Sequence, residues 1–152
     1  GCRYLHAPLI VESAAMRDAL MQERTIREAL DRVRGADIAL VGIGTPDPDL
    51  YSLIRAGYLP PTAAAELAAA GVVGDICAQH YDSTGQVLNL DINRRAVATD
   101  LETLRQVPTV IGVAGDVRKA AAILGALRGG HVKILITDEQ AATEVLRLQH
   151  QA

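Results

Sequence analysis

The chain has no phenylalanine and no tryptophan, and its aromatic fraction is only 3%, all of it tyrosine. With 49% of residues hydrophobic, the apolar material is therefore almost wholly Ala, Val, Leu and Ile, the usual substance of helices packed on buried parallel strands. Cysteine is equally scarce. Cys2 and Cys77 form no metal or redox spacing, and the four histidines are scattered, so no cofactor or metal is implied and the setting reads as reduced and cytoplasmic. There is no clustered Lys/Arg run, and the formal charge is −3, which argues against a dedicated nucleic-acid surface. No apolar stretch approaches the roughly 20 residues of a membrane span, and no signal-peptide pattern opens the chain. An initiator methionine is missing as well. The opening Gly1-Cys2-Arg3-Tyr4 lies close to a candidate strand, so the chain is expected to be a piece of a longer polypeptide.

What is present suits one domain. Its 152 residues are enough for a sizeable core, and no internal repeat or low-complexity linker divides them. Pro8–Val11 is a short apolar strand candidate. Ser13 is placed to cap a following helix whose apolar positions, Met16, Leu20, Ile26, Leu30 and Val33, keep a helical spacing up to Gly35. Asp37–Val41 reads as a buried strand ending in Gly42-Ile43-Gly44. A proline- and aspartate-rich loop follows, then short helices over 50–55 and 63–70. Val72–Tyr81 is a strand interrupted by Gly74, and Asp82–Gly85 is a turn that lets Gln86–Leu90 pair back as a hairpin. Thr99 and Asp100 look like caps for a helix over 101–106.

The second half is more regular. Thr109–Val113 is a buried strand, Asp116–Arg128 a helix with its core stripe at Val117, Ala121, Leu124 and Leu127, Val132–Ile136 another buried strand, and Asp138 the cap of a last helix. This alternation predicts an α/β domain with a mainly parallel, Rossmann-like sheet and helices on both faces.

Several residues could carry chemistry. Gly42 and Gly44 follow a strand but lack the third glycine of a dinucleotide fingerprint, so they read as a turn needing positive φ or as a close approach of backbone to a ligand. Lys119 stands in the first turn of a helix, where a cation opposes the helix dipole; it either meets an anionic ligand or, with Arg118, simply faces water. Asp75 sits within an apolar stretch, either as a strand-end acceptor for backbone or as an acceptor for ligand hydroxyls. Arg55 lies in a loop–helix segment where lids form, although solvated surface is the plainer reading. His80 and His131 have no partner at metal-ligand spacing and read as surface or hydrogen-bonded structural residues. No Ser/His/Asp or Cys/His arrangement is visible.

Taken together, VVGDICAQHYDSTG, the run LETLRQVPTVIGVAGDVRKAAAILGALRGG and ILITDEQAA, in this order behind the Ala36–Gly44 strand and turn, resemble the C-terminal effector domain of SorC/DeoR-type sugar-responsive transcriptional regulators. The resemblance runs from about Tyr4 to Leu146. It implies a fold similar to glucosamine-phosphate deaminase, ribose-phosphate isomerase and CoA transferases, used without catalysis to bind a sugar or sugar phosphate. It further implies a homo-oligomer, dimer or tetramer, that contacts DNA only through a helix-turn-helix domain absent from this chain, with residues 1–152 as the C-terminal portion of the effector domain. By the same resemblance Lys119 reaches the effector, Asp75 accepts from its hydroxyls, Gly42 and Gly44 line the cleft, and Arg55 falls near a phosphate-contacting segment. A sugar-phosphate isomerase or deaminase is the alternative, with Asp75 as base and Lys119 stabilising an enediolate. Two positions depart from the pattern: Asp116 replaces a common second glycine, and Gln79-His80 replaces Arg-Phe. A carboxylate at position 116 would repel a phosphate placed there, which favours a neutral sugar or a phosphate bound elsewhere.

Overall fold

The computed structural model describes residues 1–151. Three parallel strands, β1 (Ile38–Gly42), β4 (Thr109–Val113) and β5 (Ile134–Ile136), form one sheet in the order β1-β4-β5. A separate antiparallel hairpin joins β2 (Gly74–Ile76) to β3 (Gln79–Tyr81). The helices are α1 (Ala14–Gln22), α2 (Arg24–Asp31), α3 (Ser52–Arg55), α4 (Ala63–Ala69), α5 (Asp91–Arg95), α6 (Leu101–Gln106), α7 (Ala120–Arg128) and α8 (Glu139–Gln149). The expected α/β architecture with a parallel sheet flanked by helices is present.

Side chains alternate across the sheet because successive Cβ atoms point to opposite faces. One face carries Ala39, Val41, Val110 and Leu135, packed into a core with Ile123, Leu104, Val107, Ala141 and Val145 from the helices. The hairpin joins this core through Ile76 and Tyr81, and the Tyr81 hydroxyl donates to the Ala122 carbonyl of α7 at 3.0 Å. A second cluster, centred on Tyr51, Leu53, Ala64, Leu67 and Ile92, holds the crossover between β1 and β4.

Three N-caps read from the sequence are in place. Ser13 Oγ accepts from the Met16 N–H, an Asp100 carboxylate oxygen from Thr103, and an Asp138 oxygen from Ala141.

Other expectations are corrected. The long N-terminal helix breaks at Glu23, whose backbone is extended (φ −58°, ψ 128°), and its last turn is a 3-10 turn at 32–35. Pro8–Val11 is no strand; a single antiparallel bridge, Ile10 to Ala96, is all that forms. Val72–Tyr81 is itself the hairpin, turning at Cys77 and Ala78, both with positive φ (53° and 58°), while the arm after Gly85 makes one bridge, Val87 to Tyr81. The helix after Asp116 opens with a 3-10 turn over 117–119. Of its expected core stripe only Leu124 is buried; Val117, Ala121 and Leu127 are exposed, and Ala122, Ile123 and Ala126 face inward instead. The strands also have one open face among the described residues, with Ile38, Leu40, Val113, Ile134 and Ile136 exposed where burial beneath helices on both faces was expected.

Candidate functional site

Parallel strands bring their carboxyl ends to one edge of the sheet, where α/β domains collect ligands. Here that edge joins three segments: Ile43–Thr45 after β1, Ala114–Asp116 after β4, and Thr137–Asp138 after β5. The β2–β3 hairpin closes it from the side. Gly44 N–H donates to the Asp75 carbonyl at 2.8 Å, and Asp75 N–H returns a bond to Gly44 at 3.3 Å.

That bridge explains Gly44. A Cβ there would stand 2.0 Å from Asp75 Oδ1, so only glycine admits the carboxylate. The reason is close approach, since neither Gly42 nor Gly44 has positive φ, correcting that reading of the turn. Gly42 is exposed at the end of β1 and its added Cβ would meet open space.

Asp75 is buried, at 7% exposure, and its Oδ1 has no hydrogen-bond partner. Burial pushes its carboxyl above the ordinary carboxylate range, against the opposing pull of His80, the Ala78 N–H and Lys119. Lys119 is half-buried and folds over the same edge, its Nζ donating to the Ile43 carbonyl at 3.0 Å. Lys119, Asp75 and Gly44 are thus brought together around one strand end. Arg55 is not part of this cluster's bonding: it is exposed on α3, and its side chain makes no hydrogen bond or ion pair among the described residues.

Behind Asp75 stands a polar network that local sequence gave little means of finding. His80 is the direct cross-strand neighbour of Asp75 and is fully buried. Asn93 on α5 donates through Nδ2 to the carbonyls of His80 (3.1 Å) and Leu88 (2.8 Å), which fixes its Oδ1 toward the histidine. That oxygen accepts from the His80 backbone N–H at 2.9 Å and from Nδ1 at 2.6 Å. Nδ1 therefore carries a proton, and Nε2 is hydrogen-bonded to the Tyr51 hydroxyl. Burial first, and the Asp75 charge second, push the Tyr51 hydroxyl's pKa up. The one available signal was the His-Tyr pair inside an apolar stretch, and its partners lie 13 and 29 residues away.

The outer rim is charged. Asp116 adopts φ 87°, and its N–H donates to Asp138 Oδ2 at 2.6 Å. Its carboxylate accepts from the Arg118 N–H (2.9 Å) and is gripped by the Arg118 guanidinium at 2.9 and 3.1 Å, which holds its pKa down to about 2. Arg118 also reaches Asp47 and Asp49, each at 3.5 Å. Grooves exist elsewhere, for example one of about 450 Å³ beside Gln86, Glu102 and Arg105, but the strand-end cluster is where a buried carboxylate oxygen stands unpaired.

A parallel α/β domain with a small polar cluster at its strand ends is a ligand-binding design. Residues 1–147 match the family model described as "Putative sugar-binding domain", and the chain belongs to that family. Among curated relatives, the transcriptional regulator LsrR of Klebsiella pneumoniae is 38% identical over 144 residues, covering 93% of this chain and 45% of that protein. The LsrR of Escherichia coli K12 is 35% identical over 143 residues. The chain spans about half the length of these curated relatives. Among solved structures, the sugar-binding domain of a transcriptional repressor from Vibrio fischeri superposes with a TM-score of 0.85 at 34% identity, covering 96% of this chain and 58% of that one. The full-length sorbitol operon regulator SorC of Klebsiella pneumoniae gives 0.80 at 30%, covering 93% and 45%. These relatives are regulators by name, and the comparisons lend nothing to the isomerase or deaminase alternative.

Proposed function

We propose that this chain is the C-terminal portion of an effector-sensing domain, binding a sugar or sugar phosphate to control the operator binding of an attached helix-turn-helix domain. The observation that carries the reading is Asp75 Oδ1, buried without a partner beside Gly44 and near the charge of Lys119. An unpaired buried acceptor costs about 1–3 kcal/mol, and a sugar hydroxyl is a donor that relieves that cost. Lys119, bonded to the Ile43 carbonyl, supplies further donors, Gly44 forms the floor beneath Asp75, and Gly42 and Arg55 are outer contacts that rest on the family resemblance alone.

The relatives' names extend the reading. LsrR and SorC are transcriptional regulators, and the Vibrio fischeri domain is named as sugar-binding. A cytoplasmic homo-oligomer whose subunit arrangement shifts with effector is the corresponding mechanism, and it works only if the effector binds one arrangement better than the other.

Thermal melting against a panel of sugars, polyols and their monophosphates tests this. A saturable rise in Tm with one compound is expected, since ligand at 100 times its Kd adds about 2.7 kcal/mol. Lys119→Ala should weaken that binding by about 1.5–3 kcal/mol, the contribution of a charged hydrogen bond. No shift with any compound, or an unchanged Kd in the variant, would remove sugar sensing through Lys119.

A further inference from the structure

Charge at the strand-end cluster is lopsided. Asp47, Asp49, Asp75, Asp116 and Asp138 surround two cations, Arg118 and Lys119. Arg118 is already committed to three of these carboxylates, at 2.9, 3.5 and 3.5 Å. The backbone N–H of Arg118, which a phosphate oxygen would take at such a helix start, is taken by Asp116 itself at 2.9 Å. The carboxylate is held there firmly. Asp116 sits at φ 87°, a conformation that favours glycine, and it is pinned by Asp138 on its N–H and by Arg118 on its side chain. Deeper in, Asp75 is buried with Oδ1 unpaired, and what that oxygen lacks is a donor. A free sugar and its phosphate ester both offer that oxygen hydroxyl donors, so the discrimination between them falls to the carboxylate at the helix start.

We infer that Asp116 makes this site select an uncharged, hydroxyl-rich effector over its phosphate ester, a refinement that rests on the sensing role proposed above. Asp116 acts as the chain's own anion at the position where a phosphate would otherwise dock, and Asp75 takes the hydroxyls.

The experiment measures Kd for matched pairs, a pentose, a hexose and a hexitol each against its own monophosphate, on the full chain. It is repeated on Asp116→Asn, which keeps shape and removes charge, and on Asp116→Gly, which suits the backbone at φ 87°. The native chain should bind the free compound at least about tenfold more tightly than its phosphate, since like charges brought together cost several kcal/mol. Both variants should narrow that ratio by gaining affinity for the phosphate. A native preference for the phosphate, or a ratio unmoved in Asp116→Asn, overturns the selectivity while leaving the sensing role standing. Binding of no compound in a Lys119-dependent way overturns both.

Discussion

Asp75 is costly to the fold, and that cost can be measured. Its carboxyl is raised above its ordinary value of 3.8, chiefly by burial, so the folded state favours the protonated form. The stability it contributes is complete below the ordinary carboxylate range and is lost as pH rises through the raised pKa of the folded state. Asp75→Asn keeps the shape and removes the charge. It should stabilise the chain at neutral pH, with the advantage fading toward about pH 4. Melts of both proteins between these limits check it; a pH-independent difference, or a loss of stability at neutral pH, would show that Asp75 is not strained by its charge. The same variant should lose its effector-dependent shift. Gly44→Ala tests the partner side. With its Cβ 2.0 Å from Asp75 Oδ1, the variant must push the carboxylate aside, so it should abolish effector binding even where the chain still folds.

At the scale of elements, what the sequence made legible was whatever a few adjacent residues decide. Ser13, Asp100 and Asp138 cap the helices they precede because an N-cap needs only a side-chain oxygen two or three residues before an N–H. The β2–β3 turn was hidden for the opposite reason. Tight hairpin turns with positive φ at both central residues favour Asn-Gly, and Cys77-Ala78 carries no such signal, so tertiary packing imposes it. Asp75 was singled out as a carboxylate in an apolar run, but its His80–Asn93–Tyr51 backing joins residues far apart in sequence. Asp138 shows how much one cap can hold, since it serves both Ala141 at the start of α8 and Asp116 on the neighbouring loop. Asp138→Ala should therefore cost about 1–2 kcal/mol, toward the upper end of cap losses, against about 0.5–1 kcal/mol for Ser13→Ala. Urea unfolding of the two variants makes the comparison, and equal losses would mean that the Asp116 contact adds nothing.

For the molecule as a whole, the apolar runs in the strands foretold a parallel sheet but were silent about which face is covered. A continuous aliphatic strand reads the same whether one side or both are packed. In the structure, register places Ile38, Leu40, Val113, Ile134 and Ile136 on one face, each between 41% and 69% exposed, while Val110 on the other face is fully buried. This asymmetry predicts sharply different responses to substitution. Leu40→Lys and Ile136→Lys remove side chains that contribute little buried area, so each should change stability by no more than about 1 kcal/mol, within the range of strand preferences. Ile123→Ala, emptying a fully buried position on α7 against the covered face, should cost about 2–5 kcal/mol. An environment-sensitive apolar dye distinguishes the faces directly. The native chain should bind it, and the two lysine variants together should weaken that binding without lowering Tm in proportion. If they unfold the chain as Ile123→Ala does, the outer face is packed rather than open, and the layer order described for this sheet would have to be redrawn.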